Sequence, residues 1–402
     1  MRNTWWNLAT QISLAVLFFS SIVLASPAAY VDCQIPTSNP LTSCPNGTIL
    51  VSASGSHDVQ FTTIQSAIES LPHDMSHQVI LILPGNYTEQ LNITRPGPVT
   101  LLGQTRHPTS QSQNQVQVYW AAANVNGRYT DNAFTAVLTV APTLESSLTG
   151  SGPTGYPVPS NTPFGCVKFS AYNIDFRNVY AEYAAAQSLA VSISYANAGF
   201  YWCGIYSYQD TVYVGKLGNA YFYRNEIAGQ VDFLYGFGTG WVQHSNLTLR
   251  SCGGGITAWK GTNTTFPNKY GIYISDSFVN AANSSIALSM VGKCYLGRPW
   301  NDLHRSVFLN TRLDASIIPP GYKTWSGGAP FTTGSNYDNG TLMAEYKDYG
   351  PGFNESGRLA GNITKLLSTH QARQYRTPKD VFMTPTGSQP NVDWIDTGCY
   401  TW

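Results

Sequence analysis

The 402-residue sequence predicts an all-β protein whose strands form one coil of stacked parallel turns, a parallel β-helix. Three observations predict this class: a repeat of β-type segments, a scarcity of helical patterns, and a composition with few charges. Charged residues make up 11% of the chain, which contains 25 tyrosines and 36 glycines. This composition excludes a disordered chain, because the apolar content is ample and the charge content is low.

The repeat is the main observation in favour of the coil. Five segments each combine a short strand, a small or polar turn residue and a second alternating strand, and they begin at Asn173, Ala198, Asn219, Thr239 and Lys269. The spacings are 25, 22, 21 and 31 residues when the segments are aligned on Asn178, Cys203, Asn225, Asn246 and Ser277. A period in the low twenties built from strands alone is typical of stacked parallel turns. An antiparallel sandwich is the alternative, but it would place turns every 8–12 residues.

Few segments carry other patterns. Apolar residues at helical spacing predict a helix over residues 61–71, which Pro72 ends, and a second helix is expected at about 363–373. The apolar run 79–83 predicts a buried strand. Residues 104–117 and 141–163 are rich in small and polar residues and predict long loops on an ordered body.

The N-terminus has the pattern of a secretory signal peptide over residues 1–25. Arg2 precedes an apolar stretch from Ile12 to Leu24, and Ala25 offers a cleavage point. That stretch of about 13 residues is too short for a membrane span, which needs roughly 20. Nine Asn-x-Ser/Thr sequons agree with export, at Asn46, Asn86, Asn92, Asn246, Asn263, Asn283, Asn339, Asn354 and Asn362. We therefore expect a secreted protein with a short leader (26–49), one catalytic domain (50–402), no membrane contact after cleavage, and no room for a large inhibitory pro-domain.

Charge and cysteines limit the partners. Lysine plus arginine and aspartate plus glutamate both total 22, and this balance argues against nucleic-acid binding. The seven cysteines lack the paired C-x-x-C spacing of a zinc site, and the most local candidate pair is Cys33 with Cys44. An odd number leaves at least one thiol free or available to another molecule. The histidines at 57, 107, 244 and 304 show no metal spacing, so surface or structural roles are expected for them.

A column of polar residues is the candidate site. Gln187, Gln209 with Asp210, and Asp232 recur at intervals of 22, 1 and 22 residues, which would place them on three successive turns about 4.8 Å apart. The next equivalent position falls in the glycines 253–255, which leave space. Two stacked carboxylates repel unless one keeps its proton, and such a pair suits acid–base or nucleophilic chemistry. The alternative is a structural polar ladder or a calcium site.

At these residues the chain resembles the pectin methylesterases, a family of secreted carbohydrate esterases. The matching segments are GNYTEQL from Gly85, GIYSYQDTVYV from Gly204, GQVDFLYGFG from Gly229, YLGRPW from Tyr295, PPGYKTW from Pro319 and AEYKDYGPGF from Ala344. They run in order from about residue 50 to the C-terminus. The resemblance implies a right-handed parallel β-helix and hydrolysis of galacturonate methyl esters in pectin, with release of methanol through an aspartyl acyl-enzyme.

The resemblance also implies a role for each residue of the column. Asp232 would be the nucleophile, and Asp210 the acid that protonates methanol and then the base that activates water. Gln187 and Gln209 would donate hydrogen bonds to the oxyanion. Arg298 would pair with Asp232 and hold it ionised, because a nearby guanidinium lowers a carboxyl pKa. No metal and no cofactor are implied, and we expect a monomer.

Aromatic residues at the family's sugar-binding positions are Tyr213, Tyr235, Trp300 and Trp325, although Tyr213 and Tyr235 could instead be core residues. At position 235 the family more often has Phe, and Gly236-Phe237-Gly238 replaces the usual Gly-Asn-Ala. No site is carried over to residues 104–163, which match the family poorly.

Two other classes of function compete with an esterase: another pectin-active β-helix enzyme, either a lyase or a polygalacturonase, and a non-catalytic protein. A pectin lyase would need a calcium-binding carboxylate cluster and a basic proton acceptor, and an inverting polygalacturonase would need two carboxyls about 6.5–9.5 Å apart. A non-catalytic solenoid that binds cell walls would have no reason to keep the aspartates, glutamines and arginine in matching places.

Overall fold

The computed structural model describes residues 27–55, 59–150, 157–261, 270–325, 341–384 and 389–399. The strands form three sheets, and all pairings between named strands in the described residues are parallel. Successive strands of each turn enter the three sheets one after another, which is a right-handed parallel β-helix and confirms the predicted fold class. The predicted signal peptide lies outside the described residues.

The first sheet has eleven described strands that follow one another along the coil axis. They are β1 (Ile49–Val51), β2 (Gln78–Ile82), β5 (Val99–Gly103), β8 (Phe169–Tyr172), β11 (Asn197–Tyr201), β14 (Asn219–Tyr223), β17 (Thr239–Gln243), β20 (Gly271–Ser275), β22 (Arg305–Leu309), β24 (Leu342–Tyr346) and β25 (Lys365–Leu366).

The second sheet has eight described strands and the third has six. The second comprises β3 (Gly85–Thr88), β6 (Val116–Trp120), β9 (Ile174–Asn178), β12 (Gly204–Tyr206), β15 (Glu226–Gly229), β18 (Asn246–Leu249), β21 (Phe278–Ala281) and β23 (Arg312–Leu313). The third comprises β4 (Leu91–Ile93), β7 (Leu138–Val140), β10 (Val191–Ile193), β13 (Val212–Val214), β16 (Leu234–Gly236) and β19 (Thr257–Trp259).

The inside of the coil is filled by side chains that stack from turn to turn. Phe200 and Phe222 are partners in the β11–β14 register, and their rings stack with centroids 5.1 Å apart. The outer face of the first sheet is buried as well, under an aromatic layer that includes Tyr201, Tyr221 and Trp241. Because both faces of this sheet are covered, β5, β8, β11, β14, β20 and β24 are buried along their whole length, as expected for parallel sheets.

The turn between the first and second sheets carries the repeated residue that the sequence pointed to. The N–H of Cys203 donates to Oδ1 of Asn225 (2.6 Å), the N–H of Asn225 to Oγ of Ser245 (3.0 Å), and the N–H of Ser245 to Oγ of Ser277 (3.1 Å). These four residues are therefore equivalent on successive turns, which confirms the alignment of Cys203, Asn225 and Ser277.

The alignment is wrong at its two other positions. The register pairs Gly204 with Asp175 and Glu226 with Asn246, so the equivalents of Cys203 are Ile174 and Ser245, not Asn178 and Asn246. The position that fixes the turn is the preceding residue, which has a left-handed backbone at Asn173, Trp202, Arg224, His244 and Asp276. Aligning on asparagines alone missed this, because the turn constrains a backbone conformation rather than one residue type.

Seven short α-helices lie among the described residues: α1 (Pro27–Gln34), α2 (Ile64–Glu69), α3 (Leu144–Ser147), α4 (Ser284–Met290), α5 (Glu355–Gly361), α6 (Thr369–Ala372) and α7 (Pro378–Val381). Turns of 3₁₀ helix occur at Gln111–Gln113, Val125–Gly127, Asn132–Thr135, Arg373–Tyr375 and Thr397–Cys399.

The predicted helix 61–71 is present as α2 but is shorter. Phe61 forms a β-bridge with Val51, and Thr63 caps the helix by accepting from the N–H of Ser66. The second predicted helix, 363–373, is wrong over its first half, because Lys365–Leu366 is strand β25 and Ser368 caps α6 only after it. The helices α1, α3, α4, α5 and α7 were not predicted.

The segment predicted as a leader packs on the coil. In α1, the Gln34 amide donates to the carbonyl of Gly103 (2.9 Å) and to Oδ1 of Asn173 (3.0 Å). The predicted disulfide Cys33–Cys44 is present, and a second joins Cys252 to Cys294. Across the described ranges, no helix is long and apolar enough to cross a membrane.

Candidate active site

The third sheet positions the two aspartates of the predicted column. Asp210 lies two residues before β13 and Asp232 two residues before β16, and these strands pair in register from Val212 with Leu234. The N–H of Asp210 donates to the carbonyl of Val231 (3.0 Å), and the N–H of Asp232 to the carbonyl of Gly255 (2.7 Å). The aspartates therefore occupy equivalent positions on adjacent turns, and Gly255 is the next position in the same column.

The glutamines deviate from the predicted stacking. Gln209 bridges to Val231 on the next turn, and the N–H of Ser188 donates to the carbonyl of Gln209 (3.1 Å). Ser188 is therefore the equivalent of Gln209, and Gln187 lies one residue earlier, on the side of the second sheet. A uniform interval of 22 residues missed this, because the turn from Ser188 to Gln209 is one residue shorter than the turn from Gln209 to Val231.

Asp232 forms a two-pronged ion pair with Arg298, as expected. Nε of Arg298 donates to Oδ1 at 2.9 Å and Nη2 donates to Oδ2 at 2.5 Å. The carboxylate accepts a further hydrogen bond from the N–H of Gly255 (3.0 Å). The guanidinium also lies over the ring of Trp325, with Cζ 3.8 Å from the centroid. These contacts fix the orientation of the Asp232 oxygens.

Burial and neighbouring charges shift the two carboxyl groups unequally. Burial raises the pKa of Asp210 well above its usual value, and the negative charge of Asp232 raises it further. Burial also raises the pKa of Asp232, but hydrogen bonding and the positive charge of Arg298 oppose that rise. Arg298 thus offsets the burial of Asp232 without lowering its pKa below the usual value, in contrast to the expected net lowering. Asp210 is the member of the pair that keeps its proton to higher pH.

Glycine on the next turn makes room for the Asp232 carboxylate. A Cβ at Gly254 would lie 2.3 Å from Oδ1 of Asp232, and a Cβ at Gly255 would lie 2.6 Å from the Cα of Gly297. Side chains at these positions would displace either the nucleophile candidate or the strand segment that leads to Arg298. The expectation that missing side chains at 253–255 leave space is met at Gly254, and the Asp232 carboxylate occupies that space.

A cavity of about 510 Å³ lies over the column. Its wall includes Gln187, Gln209, Asp210, Asp232 and Arg298, so the structure brings all five predicted catalytic residues to one surface. The side chains of Gln187 and Gln209 are half-buried in this wall, and their amides form no hydrogen bond with another described residue. Two donors therefore face a space next to the carboxylates.

Three of the four predicted aromatic residues, Tyr235, Trp300 and Trp325, also line this cavity. The fourth does not: Tyr213 is fully buried behind Tyr235, with ring centroids 4.9 Å apart. Tyr213 and Tyr235 are partners in the β13–β16 register, so their rings pack against each other on adjacent turns, and Tyr235 is the one that reaches the cavity wall. The expectation that Tyr213 contacts a substrate directly is corrected to a packing role.

Comparison with known proteins identifies the family. The family model described as Pectinesterase matches residues 159–384. The chain is 30% identical over 319 residues to the probable pectinesterase A of Aspergillus niger, covering 79% of this chain and 82% of that protein. The chain belongs to the pectinesterase family. Membership makes the protein an esterase.

Solved structures agree with this pectinesterase assignment. The crystal structure of the pectin methylesterase from Aspergillus niger has a TM-score of 0.68 and 27% identity, covering 88% of this chain and 97% of that one. An alanine mutant of a pectin methylesterase in complex with a hexasaccharide has a TM-score of 0.63 and 25% identity, covering 85% and 99%.

One wall of the pectinesterase cavity was not predicted. Residues from the 104–163 region line it, at Asn124, Thr130, Asp131, Asn132, Thr149 and Gly150. The Asp131 carboxylate joins its two loops by accepting hydrogen bonds from the N–H groups of Ala133 (2.8 Å), Thr149 (2.9 Å) and Gly150 (2.8 Å). The available signal was an aspartate just before a short helical turn, which is common at helix caps and too weak to indicate a site.

A buried lysine behind the cavity was also not predicted. Lys260 is fully buried, and its ammonium lies 3.6 Å from the centroid of the Trp300 ring and 5.0 Å from that of Phe237. Burial lowers the pKa of Lys260 to about 7, although the charge of Asp131 opposes this shift. Trp300, a cavity residue, therefore packs on a lysine that is cationic below a pH of about 7.

The histidines lie outside the cavity where the structure describes them. His304 is buried, bonds Trp259 and Ser306, and has a pKa lowered by burial to about 3, which agrees with the expected structural role. His107 and His244 are exposed, and His57 lies outside the described residues. Over the described part of the chain, no three His, Cys, Asp or Glu residues group as metal ligands would.

Proposed function

We propose that this pectinesterase hydrolyses the methyl esters of galacturonate units in pectin through an aspartyl acyl-enzyme. The observation that carries the proposal is the pair of aspartates on adjacent turns, one held by Arg298 and the other more strongly protonated. Pairs of carboxyls whose pKa values are pushed apart are suited to divide nucleophilic and acid–base roles. The names of the related pectin methylesterases, and the hexasaccharide bound by one of them, support pectin as the substrate.

In the first half of the reaction, a carboxylate oxygen of Asp232 attacks the ester carbonyl carbon, and a new C–O bond forms. The tetrahedral oxyanion accepts hydrogen bonds from the amides of Gln187 and Gln209, and one such donor is worth about 3–4 kcal/mol. The carbon–methoxy bond then breaks, and the proton of Asp210 goes to the departing methoxy oxygen. Methanol leaves, and the galacturonyl group remains bound to Asp232 as an anhydride.

In the second half, Asp210 is a carboxylate and removes a proton from water. The hydroxide oxygen attacks the acyl carbon, and the bond to Asp232 breaks. The products are a galacturonate carboxyl, the free Asp232 carboxylate and protonated Asp210, so the enzyme returns to its starting state. Arg298 stabilises the negative charge on Asp232 at the beginning and end of the cycle.

Incubation with highly methylated pectin tests the overall reaction. We expect release of methanol without shortening of the chain. Unsaturated ends would instead indicate a lyase, new reducing ends a polygalacturonase, and no product at all the non-catalytic solenoid, which are the alternatives considered from the sequence.

Competition between hydroxylamine and water for the acyl group tests the proposed mechanism. Methyl and ethyl esters of an oligogalacturonate should give the same ratio of hydroxamate to acid when hydroxylamine is added, because both pass through one acyl-enzyme. A ratio that depends on the alcohol would exclude a common intermediate, while leaving the esterase activity itself standing.

A further inference from the structure

Asn178 is a buried asparagine that the repeat of the coil does not explain. It is the last residue of β9, only 3% of it is exposed, and its register partner on the preceding turn is Trp120. A buried side-chain amide needs hydrogen-bond partners, because an unpaired polar group in the interior costs free energy. The partners of Asn178 therefore indicate why an asparagine occupies this position.

The Asn178 amide joins segments that lie far apart in the sequence. Its Nδ2 donates to the carbonyls of Ala122 (2.8 Å), Thr135 (3.0 Å) and Leu189 (3.0 Å). Its Oδ1 accepts from the N–H groups of Ala122 (3.4 Å) and Tyr180 (3.2 Å). Carbonyls surround one end of the amide and N–H groups the other, so its orientation is fixed and its hydrogen-bonding capacity is used within the fold.

One of the joined segments carries Gln187, which lies two residues before Leu189. Asn178 binds the carbonyl of Leu189, and the N–H of Leu189 donates to Oγ1 of Thr135 (3.0 Å). Thr135 is fully buried and is itself held by Asn178 through its carbonyl. Both backbone groups of Leu189 are thus fixed by one buried network, and that network sets the end of the segment 187–189.

The beginning of the segment is held through the cavity wall. Asn124 lines the cavity, and its N–H donates to the carbonyl of Gln187 (2.9 Å). Asn124 lies two residues after Ala122, whose N–H and carbonyl both bond to the Asn178 amide. Asn178 therefore acts on Gln187 from both sides, through Leu189 on one and through Asn124 on the other.

The same segment is tied to the second glutamine of the site. The N–H of Ser188 donates to the carbonyl of Gln209 (3.1 Å), so one backbone hydrogen bond relates Gln187 to Gln209. The side-chain amides of the two glutamines form no hydrogen bond with another described residue. Their positions in the cavity therefore depend on how the backbone beneath them is held.

We propose that Asn178 is a positioning residue for the reaction, which holds residues 187–189 so that the Gln187 amide donates to the oxyanion. The inference rests on the proposed function, in which Gln187 is an oxyanion donor. Asn178 does not line the cavity, so it acts through Gln187 rather than on the substrate. Placement matters because a hydrogen bond weakens steeply as its distance and angle depart from the ideal values.

A double-mutant cycle on kcat tests this route. Gln187→Ala should lower kcat about a hundred- to a thousandfold, the usual cost of removing one oxyanion donor. Asn178→Ala should lower kcat roughly ten- to a hundredfold and leave KM within about twofold, because the oxyanion forms only in the transition state. In the Gln187→Ala background, the same change at Asn178 should alter kcat less than about twofold, because the donor that it positions is then absent.

The matched control for a loss of stability is Asn225→Ala. Asn225 is also a buried asparagine that joins two turns, since its Nδ2 donates to the carbonyl of Phe200 (3.0 Å) and its Oδ1 accepts from the N–H of Cys203 (2.6 Å). It lies at the turn between the first and second sheets, however, and not in the network that holds Gln187. We expect Asn225→Ala to lower the midpoint temperature of thermal unfolding, as Asn178→Ala does, with unchanged kcat and KM.

Thr135→Val tests the same network if Asn178→Ala does not fold. It removes the acceptor of the Leu189 N–H while it keeps the shape of the side chain. Its kcat should fall in the wild-type background and stay within about twofold in the Gln187→Ala background.

The cycle separates this inference from the proposed function. Equal losses of kcat in both backgrounds, or a higher KM with unchanged kcat, would overturn the role of Asn178 and leave Gln187 as the donor. An unchanged kcat in Gln187→Ala would instead overturn the proposed oxyanion role of Gln187, and the role of Asn178 with it.

Discussion

Asp210 and Asp232 share a left-handed backbone conformation, with φ of +60° and +47°, at the same position on adjacent turns. Aspartate tolerates this conformation better than most residues, and such positions concentrate where function requires them. The shared conformation directs both carboxyl groups from equivalent points of the coil into one cavity. Aspartate at these two positions therefore suits the backbone conformation as well as the proposed chemistry.

Asparagine at each of these positions should separate the two proposed roles. We expect Asp232→Asn to lose several orders of magnitude in rate on both methyl and p-nitrophenyl esters, because the nucleophile is gone. Asp210→Asn should release about one equivalent of p-nitrophenol per enzyme and then stop, because this leaving group needs no proton while water still needs a base. Stopped-flow absorbance measures the burst. A full burst from Asp232→Asn would contradict the nucleophile assignment.

Removal of the Arg298 charge should move the acidic limb of the pH–rate profile. Arg298 opposes the rise in the Asp232 pKa, so Arg298→Ala should raise that pKa and shift the limb of kcat/KM to higher pH. The shift belongs to the coupled pair rather than to Asp232 alone. Lys323→Ala should shift the limb in the same direction by less, since the charge of Lys323 also lowers the Asp232 pKa but has a smaller effect than Arg298. An unmoved limb in Arg298→Ala would show that the arginine only shapes the cavity.

Lys260 should make stability depend on pH. Its pKa is about 7 in the folded protein and about 10.4 when unfolded, so between these values the unfolded chain binds more protons and stability rises with pH. Lys260→Met removes this dependence. The variant should therefore have a higher midpoint temperature of thermal unfolding than the wild type, and this difference should be larger at pH 6 than at pH 9. Lys293→Met, at an exposed position, should show no such difference, and equal effects at both pH values would contradict the argument.

Asp348 should make stability fall at higher pH. Burial and the neighbouring negative charge of Glu345 raise its pKa well above the usual value. A group with a raised folded pKa contributes its full stability below the unfolded pKa of about 3.9, and that stability is lost as pH rises towards the folded pKa. Asp348→Asn removes the titration, so its advantage over the wild type should grow from pH 4 upwards in urea unfolding. The exposed Asp32→Asn serves as control; a constant advantage would count against a buried neutral acid.

The coil was predictable because the sequence repeats once per turn. Each turn repeats an inward apolar row and a turn residue, and the 22-residue interval between Asp210 and Asp232 matches the register of β13 with β16. The wall that Asp131 organises was not predictable in this way. Its loops carry no period, and they are held together by contacts such as the bond from the Thr149 N–H to the Asp131 carboxylate.

The burial of Tyr213 could not be predicted from the sequence either. Tyr213 and Tyr235 have the same residue type at the same register position, and only the packing of one ring over the other separates a wall residue from a core residue. The burial of Lys260 against Trp300 depends likewise on the path of two distant segments.

The disulfide between Cys252 and Cys294 makes the frame of the ion pair depend on a covalent bond that reductants can break. Cys252 leads directly into the glycines beside Asp232, and Cys294 opens the segment that ends at Arg298, so one covalent bond joins the two chain segments that form the ion pair. A reductant can therefore weaken the enzyme without touching a catalytic atom, and a chain made where thiols stay reduced would be assembled with a loosened ion pair.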